Sequence, residues 1–364
     1  MHDLKAVSTL FDLRGDFVHG YSYGSGHIND TYCIWVDQAG QRIRYILQRV
    51  NHNVFKQPIP LMENVKRVTD HALKRLKEEQ CPEAYRRTLT LVPSVDGKPY
   101  ALDSDDNCWR VYPFIERERP YDKIETTRQC QEAARAFGEF QKLTADLPGE
   151  PLFETIPNFH NTTSRLAALK EAIQSDPLGR VKEVQKEIDW YLSRESDCHL
   201  VVDYLKSGEL PLRCTHNDTK LNNVMLDDVT GEGICVIDLD TTMPGSAIYD
   251  FGDMIRTATS PAAEDEKDVS KVTMRMFMFE ALVQGYLSSA KSFLTPLEKS
   301  LLPFSGKLLT MECGIRFLTD YLSGDVYFKI HRPEHNLDRC RTQMALVESI
   351  EAQMDEMKAI VDRY

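Results

Sequence analysis

The chain has no window approaching the roughly 18 uncharged apolar residues that a helix needs to cross a bilayer, so no transmembrane helix is expected. Its opening residues, MHDLKAVSTLFDLRGDF, interrupt every apolar run with Asp3, Lys5, Asp12, Arg14 or Asp16. No signal-peptide core fits there. Basic residues are in deficit, with 44 Lys and Arg against 56 Asp and Glu and a net charge of −12. That disfavours binding to nucleic acid, which draws on a basic stripe. A nucleotide stays open, because a metal ion can carry its phosphates. The nine cysteines, at 33, 81, 108, 130, 198, 214, 235, 313 and 340, are odd in number and contain no CxxC pair. A disulfide framework or zinc site is therefore disfavoured, and reduced, mostly buried thiols are expected. Internal repeats and low-complexity tracts are also missing. The expectation is a cytoplasmic protein that engages neither membrane nor nucleic acid.

What is present is ample core material: 42% of the 364 residues are apolar and 9% aromatic. That length suggests two domains or one bilobal unit. Tyr32–Val36 and Arg44–Arg49 are rich in β formers and flank the turn signal Asp37-Gln-Ala-Gly40, which reads as a hairpin. Residues 60–80 place Leu61, Val65, Val68, Ala72, Leu73 and Leu76 at helical spacing, with Pro60 near the start. Arg87–Pro93 and Lys98–Leu102 read as two strands around a Val95-Asp-Gly-Lys98 turn, and 109–115 as an apolar strand. Helices are expected over 126–146, 162–174, 180–206, 269–292, 297–322 and 338–362. The fold class is α+β: a small antiparallel-sheet lobe over 1–115, then a larger, mainly helical lobe over 116–364, joined near 112–118.

One stretch carries chemistry. In Cys214–Asp240 (CTHNDTKLNNVMLDDVTGEGICVIDLD), two short apolar runs flank the turn Thr230-Gly-Glu-Gly233. Symmetric closure between Thr230 and Gly231 sets Asn223 opposite Asp238. Asn and Asp at one mouth form an oxygen-rich site suited to Mg²⁺. Asp218, in the loop five residues before Asn223, can face the same mouth as a base. A loop Asp that accepts a hydroxyl proton, with Asn and Asp holding metal on nucleotide phosphates, is a phosphoryl-transfer set. His216 is expected to orient the loop, and Asp240 is open between metal support, substrate contact and surface charge. Asp250-Phe-Gly252 does not end this hairpin, so Asp250 and Asp253 are expected to cap the next helix or brace the His216 loop.

His216-x-Asp218-x-x-x-x-Asn223 followed by Ile237-Asp238-x-Asp240 resembles the aminoglycoside phosphotransferase/choline kinase family, which has a bilobal protein-kinase-like fold. The resemblance implies Asp218 as the catalytic residue, Asn223 and Asp238 as Mg²⁺ ligands, and ATP as the phosphoryl donor. Protein kinases carry Arg where this chain has Asn217, which favours the small-molecule branch. THNDTKLNNVML, VIDLDTTMPGSAIYDFGDMIR, GSGHINDTY, YILQRVN and GIRFLTDYLSGDVYFK look like the N-acetylhexosamine 1-kinases, a branch that phosphorylates amino sugars at the anomeric hydroxyl. These segments run from about residue 20 to 340.

The nucleotide end follows the same likeness. Tyr23-Gly24-Ser25-Gly26 is a glycine turn that lets backbone approach phosphates, and His27, Asn29 and Asp30 lie beside it. The family's strand lysine is missing: Tyr45-Ile-Leu-Gln48-Arg49 offers either Gln48 or Arg49, which alternate in face, with Glu63 as the helix partner. Tyr112-Pro113-Phe114-Ile115 matches the hinge that contacts adenine through backbone groups. For the acceptor, His27, Asp240, Arg316 and Tyr327 are the candidate sugar contacts. Arg316 sits in an apolar pattern and needs a partner, either Glu312 or substrate. His331 and His335 have helical spacing, but no other ligand supports a metal there. A choline-type or aminoglycoside acceptor, or a catalytically silent nucleotide-binding regulator, is the alternative.

Overall fold

β-Branched and aromatic residues alternate along residues 30–49, and a turn that demands left-handed backbone breaks them at Ala39-Gly40. In the computed structural model, which describes residues 2–24, 28–119, 121 and 124–364, that pattern is a hairpin. In chain order the elements are α1 (Leu4–Ser8), β1 (Asp16–Ser22), β2 (Asp30–Gln38), β3 (Gln41–Arg49), α2 (Pro58–Glu78), α3 (Ala84–Arg87), β4 (Ala101–Leu102), β5 (Cys108–Pro113), β6 (Glu118–Arg119), α4 (Thr127–Thr144), α5 (Thr162–Ser175), α6 (Gln185–Leu192), α7 (Glu195–Ser207), β7 (Arg213–Thr215), β8 (Val224–Asp227), β9 (Gly233–Val236), β10 (Met243–Gly245), α8 (Ala247–Ala258), α9 (Met276–Ala290), α10 (Pro296–Ser323), α11 (His335–Ala352) and α12 (Met354–Arg363). They fall into two compact units. The first comprises Met1–Arg119, Leu143–Pro157 and Met225–Pro244, and the second comprises Pro120–Lys142, Asn158–Val224 and Gly245–Tyr364.

The first unit is built on a five-stranded antiparallel sheet in the order β1-β2-β3-β5-β4. Ala39 and Gly40 both take positive φ (54° and 86°), the two-residue turn whose twist suits a tight hairpin, and Gln38 pairs with Gln41 across it. Along α2, Leu61, Val65, Val68, Ala72 and Leu76 are buried. Ile34, Val36, Leu47, Trp109 and Val111 from the sheet meet Val7, Phe11 and Leu13 in one core. The sheet departs from expectation at both ends. β1 precedes the expected hairpin, so Tyr23 and Gly24 lie between two strands rather than before the first. Residues 88–93 form no strand. Pro93 has no N–H to give a ladder, and single bonds hold the segment, such as Val92 N–H to the Val111 carbonyl at 2.9 Å.

The second unit packs helices around Leu166, Leu169, Tyr191, Ile315, Leu318, Leu322, Cys340 and Val347. The expected helix over 180–206 is broken into α6 and α7. α10 runs 28 residues and starts on a reciprocal cap between Thr295 and Glu298. It crosses α8 at Gly252, where a methyl group would run into the Ser305 carbonyl. The glycine of Asp250-Phe-Gly is thus a helix-packing residue. Among the described residues no helix is long and apolar enough to cross a membrane.

Candidate active site

The second unit holds the loop with Asp218. Leu221–Asn223 is a short 3-10 turn leading into β8. From it the Asn223 Nδ2 donates to the Asp218 carbonyl at 2.8 Å and to Asp218 Oδ2 at 3.2 Å. The other oxygen, Oδ1, lies 2.7 Å from the Lys220 ammonium. Burial pushes the half-buried Asp218 carboxyl up. Lys220 foremost, with His216 and Arg256, outweighs that and holds it below the ordinary carboxylate value. Asp218 therefore stands ionised, with its charge aligned by one cation and one amide.

The loop is fastened from behind. Asp250, fully buried on α8, accepts the His216 N–H at 2.9 Å and the Asn217 N–H at 2.7 Å, and also the Gln141 side chain at 2.6 Å. Thr219 Oγ1 donates to the Asp250 carbonyl at 2.6 Å. Ser246, not Asp250, caps α8. Of the two expected roles, Asp250 takes the brace. His216 is fully buried, edge-on to Phe137 and Phe140 of α4, and its Nδ1 accepts the Asp218 N–H at 3.3 Å. It shapes the loop. Asp253 bonds Arg256 through Oδ1 at 2.9 Å, while its Oδ2 is buried with no partner among the described residues.

In the same unit Arg316 and Tyr327 come together, the Arg316 Nη2 lying 3.4 Å from the Tyr327 hydroxyl. The guanidinium stands 5.3–5.7 Å from the ring centres of Phe159, Tyr327 and Phe328, within cation–π reach. Glu312, the intrachain partner considered for Arg316, instead receives His160 and Thr162. His335 Nε2 sits 3.0 Å from Asp265 and its Nδ1 accepts the His331 N–H, so this histidine pair is tied up structurally.

The first unit gathers a second cluster. Arg110 on β5 is 1% exposed. Its Nη1 bonds Asp240 Oδ1 and its Nε bonds Gln48 Oε1 at 2.8 Å. Asn29 Nδ2 reaches the other Asp240 oxygen at 2.6 Å. Burial disfavours the Arg110 charge, but Asp240, with Asp238, outweighs it and raises its pKa further. The strand register explains the arrangement, since Gln48 lies directly opposite Arg110. Arg49 points the other way, to Asp30 at 2.7 Å and Asn107 at 3.1 Å. Gln48 and Arg49 thus point to opposite faces of the sheet, as their alternation implied. Gln48 faces the cluster, and the cation beside it comes from the neighbouring strand. Asp240 is 1% exposed, which removes the surface-charge reading.

Asp238 lies beyond the end of β9 in the left-handed region, at φ 60° and ψ 58°, a conformation rare for a non-glycine residue. The ladder pairing expected between Asn223 and Asp238 does not form, because neither residue is in a strand. Asp227 starts the turn early: its Oδ1 accepts the Val229 and Thr230 N–H groups, both at 2.9 Å. Its own N–H pairs with the Glu232 carbonyl at 2.8 Å. The closure therefore centres one residue before the symmetric one.

The remaining expected nucleotide residues are spread over the first unit. Gly24 has φ +82° with open space where a Cβ would stand. Tyr23 packs edge-on against Phe114, 5.5 Å between ring centres. Pro113 is exposed at the end of β5 and Ile115 is buried. Glu63 is exposed on α2, while its neighbour Asn64 is buried and bonds the Phe153 and Thr242 carbonyls at 2.7 and 3.1 Å. Ser25, Gly26 and His27 lie outside the described residues. Lys220, Arg110 and His160 were not singled out from the sequence, and Glu312 was weighed only as a partner for Arg316. Lys220 was in plain view two residues past Asp218. Arg110 is a lone charge in an apolar strand, the same signal that had singled out Arg316.

Comparison with known proteins places this geometry. The pattern of the APH family, described as the phosphotransferase enzyme family, matches residues 22–272. An aminoglycoside phosphotransferase from Alicyclobacillus acidocaldarius superposes with a TM-score of 0.61 at 13% identity, over 100% of this chain and 98% of that one. A microcompartment-associated aminopropanol kinase gives 0.55 at 16% identity, covering 97% of each chain. A choline kinase from Cryptosporidium parvum gives 0.55 at 14%, over 95% of this chain and 92% of its own. Likeness at such identity speaks for the fold, which is α+β and protein-kinase-like. The family match covers well over half of the sequence: the chain belongs to the APH phosphotransferase family, whose reaction is transfer of a phosphoryl group to a hydroxyl.

Proposed function

We propose that the enzyme is a small-molecule kinase that uses ATP and Mg²⁺ to phosphorylate the anomeric hydroxyl of an N-acetylhexosamine, giving the sugar 1-phosphate. The observation that carries the chemistry is the ionised Asp218, with Oδ1 on Lys220 and Oδ2 on Asn223. Asp218 accepts the acceptor's hydroxyl proton as the oxygen attacks the γ-phosphorus in line. The bond to the β–γ bridging oxygen breaks, and ADP leaves with its electron pair. Most of the rate comes from positioning and charge neutralisation. Lys220, beside the attacking oxygen's base, offsets the negative charge there.

For the metal, the donor chemistry fits. The Nδ2 of Asn223 is committed to Asp218, which leaves its amide oxygen as the ligand atom. Asp238 supplies a carboxylate. Amide and carboxylate oxygens, completed by water and phosphate, are what Mg²⁺ takes. The role is assigned to Asn223 in the second unit and Asp238 in the first by the motif positions they occupy. Mg²⁺ there would carry phosphate charge. In the first unit, Gly24, Gln48, Pro113 and Ile115 are assigned to the nucleotide by likeness, and Arg110 takes the part considered for Arg49. Asp240 is assigned to holding Arg110.

For the acceptor, the sugar reading is supported by Arg316 and Tyr327. They present donors beside the faces of Phe159 and Phe328, and a pyranose needs both. Those rings would suit a quaternary ammonium in a choline-type kinase. The guanidinium of Arg316 already stands among them and would repel it. The silent-regulator reading was motivated by the missing strand lysine, and the intact set of Asp218, Asn223 and Asp238 speaks against it. An acceptor panel tests the proposal: N-acetylglucosamine and N-acetylgalactosamine against choline, ethanolamine, aminopropanol and an aminoglycoside, with the product anomer identified by ³¹P NMR. A higher kcat/KM for any amino alcohol or aminoglycoside than for both sugars would sink it.

A further inference from the structure

His160, in the segment before α5, sits between two acceptors. Its Nδ1 is 2.7 Å from Glu312 Oε1, and its Nε2 is 3.1 Å from the Asn217 carbonyl oxygen. A carbonyl offers no proton, and the carboxylate of Glu312 offers none. Both ring nitrogens must therefore donate, and only the imidazolium does so. The other oxygen of Glu312 accepts from Thr162 Oγ1 at 2.8 Å, so the carboxylate is satisfied on both sides although it is 1% exposed. Phe159 and Tyr249, with ring centres 4.6 and 5.2 Å away, hold the imidazole plane.

The carbonyl that His160 holds belongs to Asn217, whose φ is 65°, a region that asparagine enters more readily than most side chains. Asn217 immediately precedes Asp218, and its carbonyl belongs to the Asn217–Asp218 peptide. Asp250 holds the N–H of Asn217; within the Asn217–Asp218 peptide itself, His160 holds the carbonyl at 3.1 Å and His216 Nδ1 accepts the N–H at 3.3 Å. Losing His160 removes the shorter of these two bonds, so the peptide that carries Asp218 is held less firmly.

We propose that His160, held as an imidazolium by Glu312, is a positioning residue that fixes the Asn217–Asp218 peptide and so aims Asp218 at the acceptor hydroxyl. This rests on the reading of Asp218 as the base. The groups that face the pair are Glu312 and Arg316 from α10, Asp253 and Tyr249 from α8, and Arg165 from α5. Burial works against the charged ring, but Glu312, the Asn217 carbonyl and Asp253 outweigh it, so the His160 pKa is raised. The charged, gripping form therefore persists as pH rises past the ordinary histidine value. The grip is lost as pH climbs through the raised one.

The test combines charge state and kinetics on the full chain. Long-range ¹H–¹⁵N NMR at about pH 7.5, a unit above the ordinary histidine value, should show both His160 nitrogens protonated. A neutral ring there overturns the proposal. His160→Gln should lower kcat on the order of 10–100-fold with KM for ATP within about two-fold. A folded His160→Gln with wild-type kcat overturns it equally. Glu312→Gln keeps the packing and the Asn217 bond while removing the counter-ion, so it stays informative if His160→Gln does not fold. Its alkaline limb of kcat should move to lower pH, and an unmoved limb refutes the role. Asp218→Asn is run alongside. If it retains turnover, the base reading and this role fall together; if it is inactive while His160→Gln is not, the positioning role alone falls.

Discussion

Replacing Arg110 by Met strands the Asp240 carboxylate in a site where both partners are 1% exposed, with the Asn29 amide still donating to it. A buried carboxylate in that position has an escape: it takes up a proton. At pH 7, protonating a group of ordinary pKa near 3.9 costs about 4 kcal/mol, at 1.36 kcal/mol per pH unit. That puts the charge part of the Arg110→Met penalty at up to about 4 kcal/mol at neutral pH and about 1.5 kcal/mol at pH 5; the bonds lost to Gln48 add a part that does not change with pH. The sign follows from proton counting. In the variant the folded state binds a proton that the unfolded state has lost, so stability falls as pH rises. Asp240→Asn is different, because the guanidinium left behind cannot shed its proton in the accessible range. Its penalty, about 3 kcal/mol from breaking one side of a buried pair, stays flat with pH. Thermal unfolding of wild type and both variants at two pH values reads this directly. From the charge part alone, Arg110→Met should melt roughly 8–16 °C low near pH 7 and about 3–6 °C low near pH 5, at 2–4 °C per kcal/mol. Equal losses for Arg110→Met at both pH values, or losses under about 1 kcal/mol for both variants, would refute the reasoning.

Three more outcomes are expected. Asp218→Asn should lower kcat by about 10²–10⁴-fold, the range of a lost general base, with nucleotide affinity by calorimetry nearly unchanged. Lys220→Met removes the main influence that lowers the Asp218 pKa, so burial pushes that carboxyl up. The acid limb of the kcat/KM profile should then move to higher pH. Glu118, whose pKa burial and then Asp228 raise to about 7, keeps its proton in the folded state across pH values where an unfolded glutamate has lost it. It therefore makes the protein less stable as pH rises from about 4.5 to about 7. Glu118→Gln should flatten the stability–pH curve in that window, and an unchanged slope would contradict the assignment.

What could be read from the sequence was local. The β2–β3 hairpin announced itself because Ala39-Gly40 must turn left-handed between two alternating runs. Asp218 and Asn223 were legible because a five-residue spacing fixes both on one loop. Partners far apart in sequence were not legible. Arg110 finds Asp240 130 residues on, and His160 finds Glu312 152 residues on; no periodicity encodes either meeting. The Asn223–Asp238 register failed for a local reason that was visible but not used: Asp227 captures two turn N–H groups and closes the hairpin early. The strand expected over 87–93 does not form: Arg87 ends α3, and Pro93 has no N–H to give a ladder.

Asp250 is fully buried behind the loop, yet it fixes the backbone that carries Asp218. If Arg316 and Tyr327 meet the acceptor as proposed, drift in acceptor preference can proceed through them while the loop's geometry stays under separate control. A lineage, or an engineer, can re-tailor what is phosphorylated without rebuilding how, so long as the α8 carboxylate keeps its hold on His216 and Asn217.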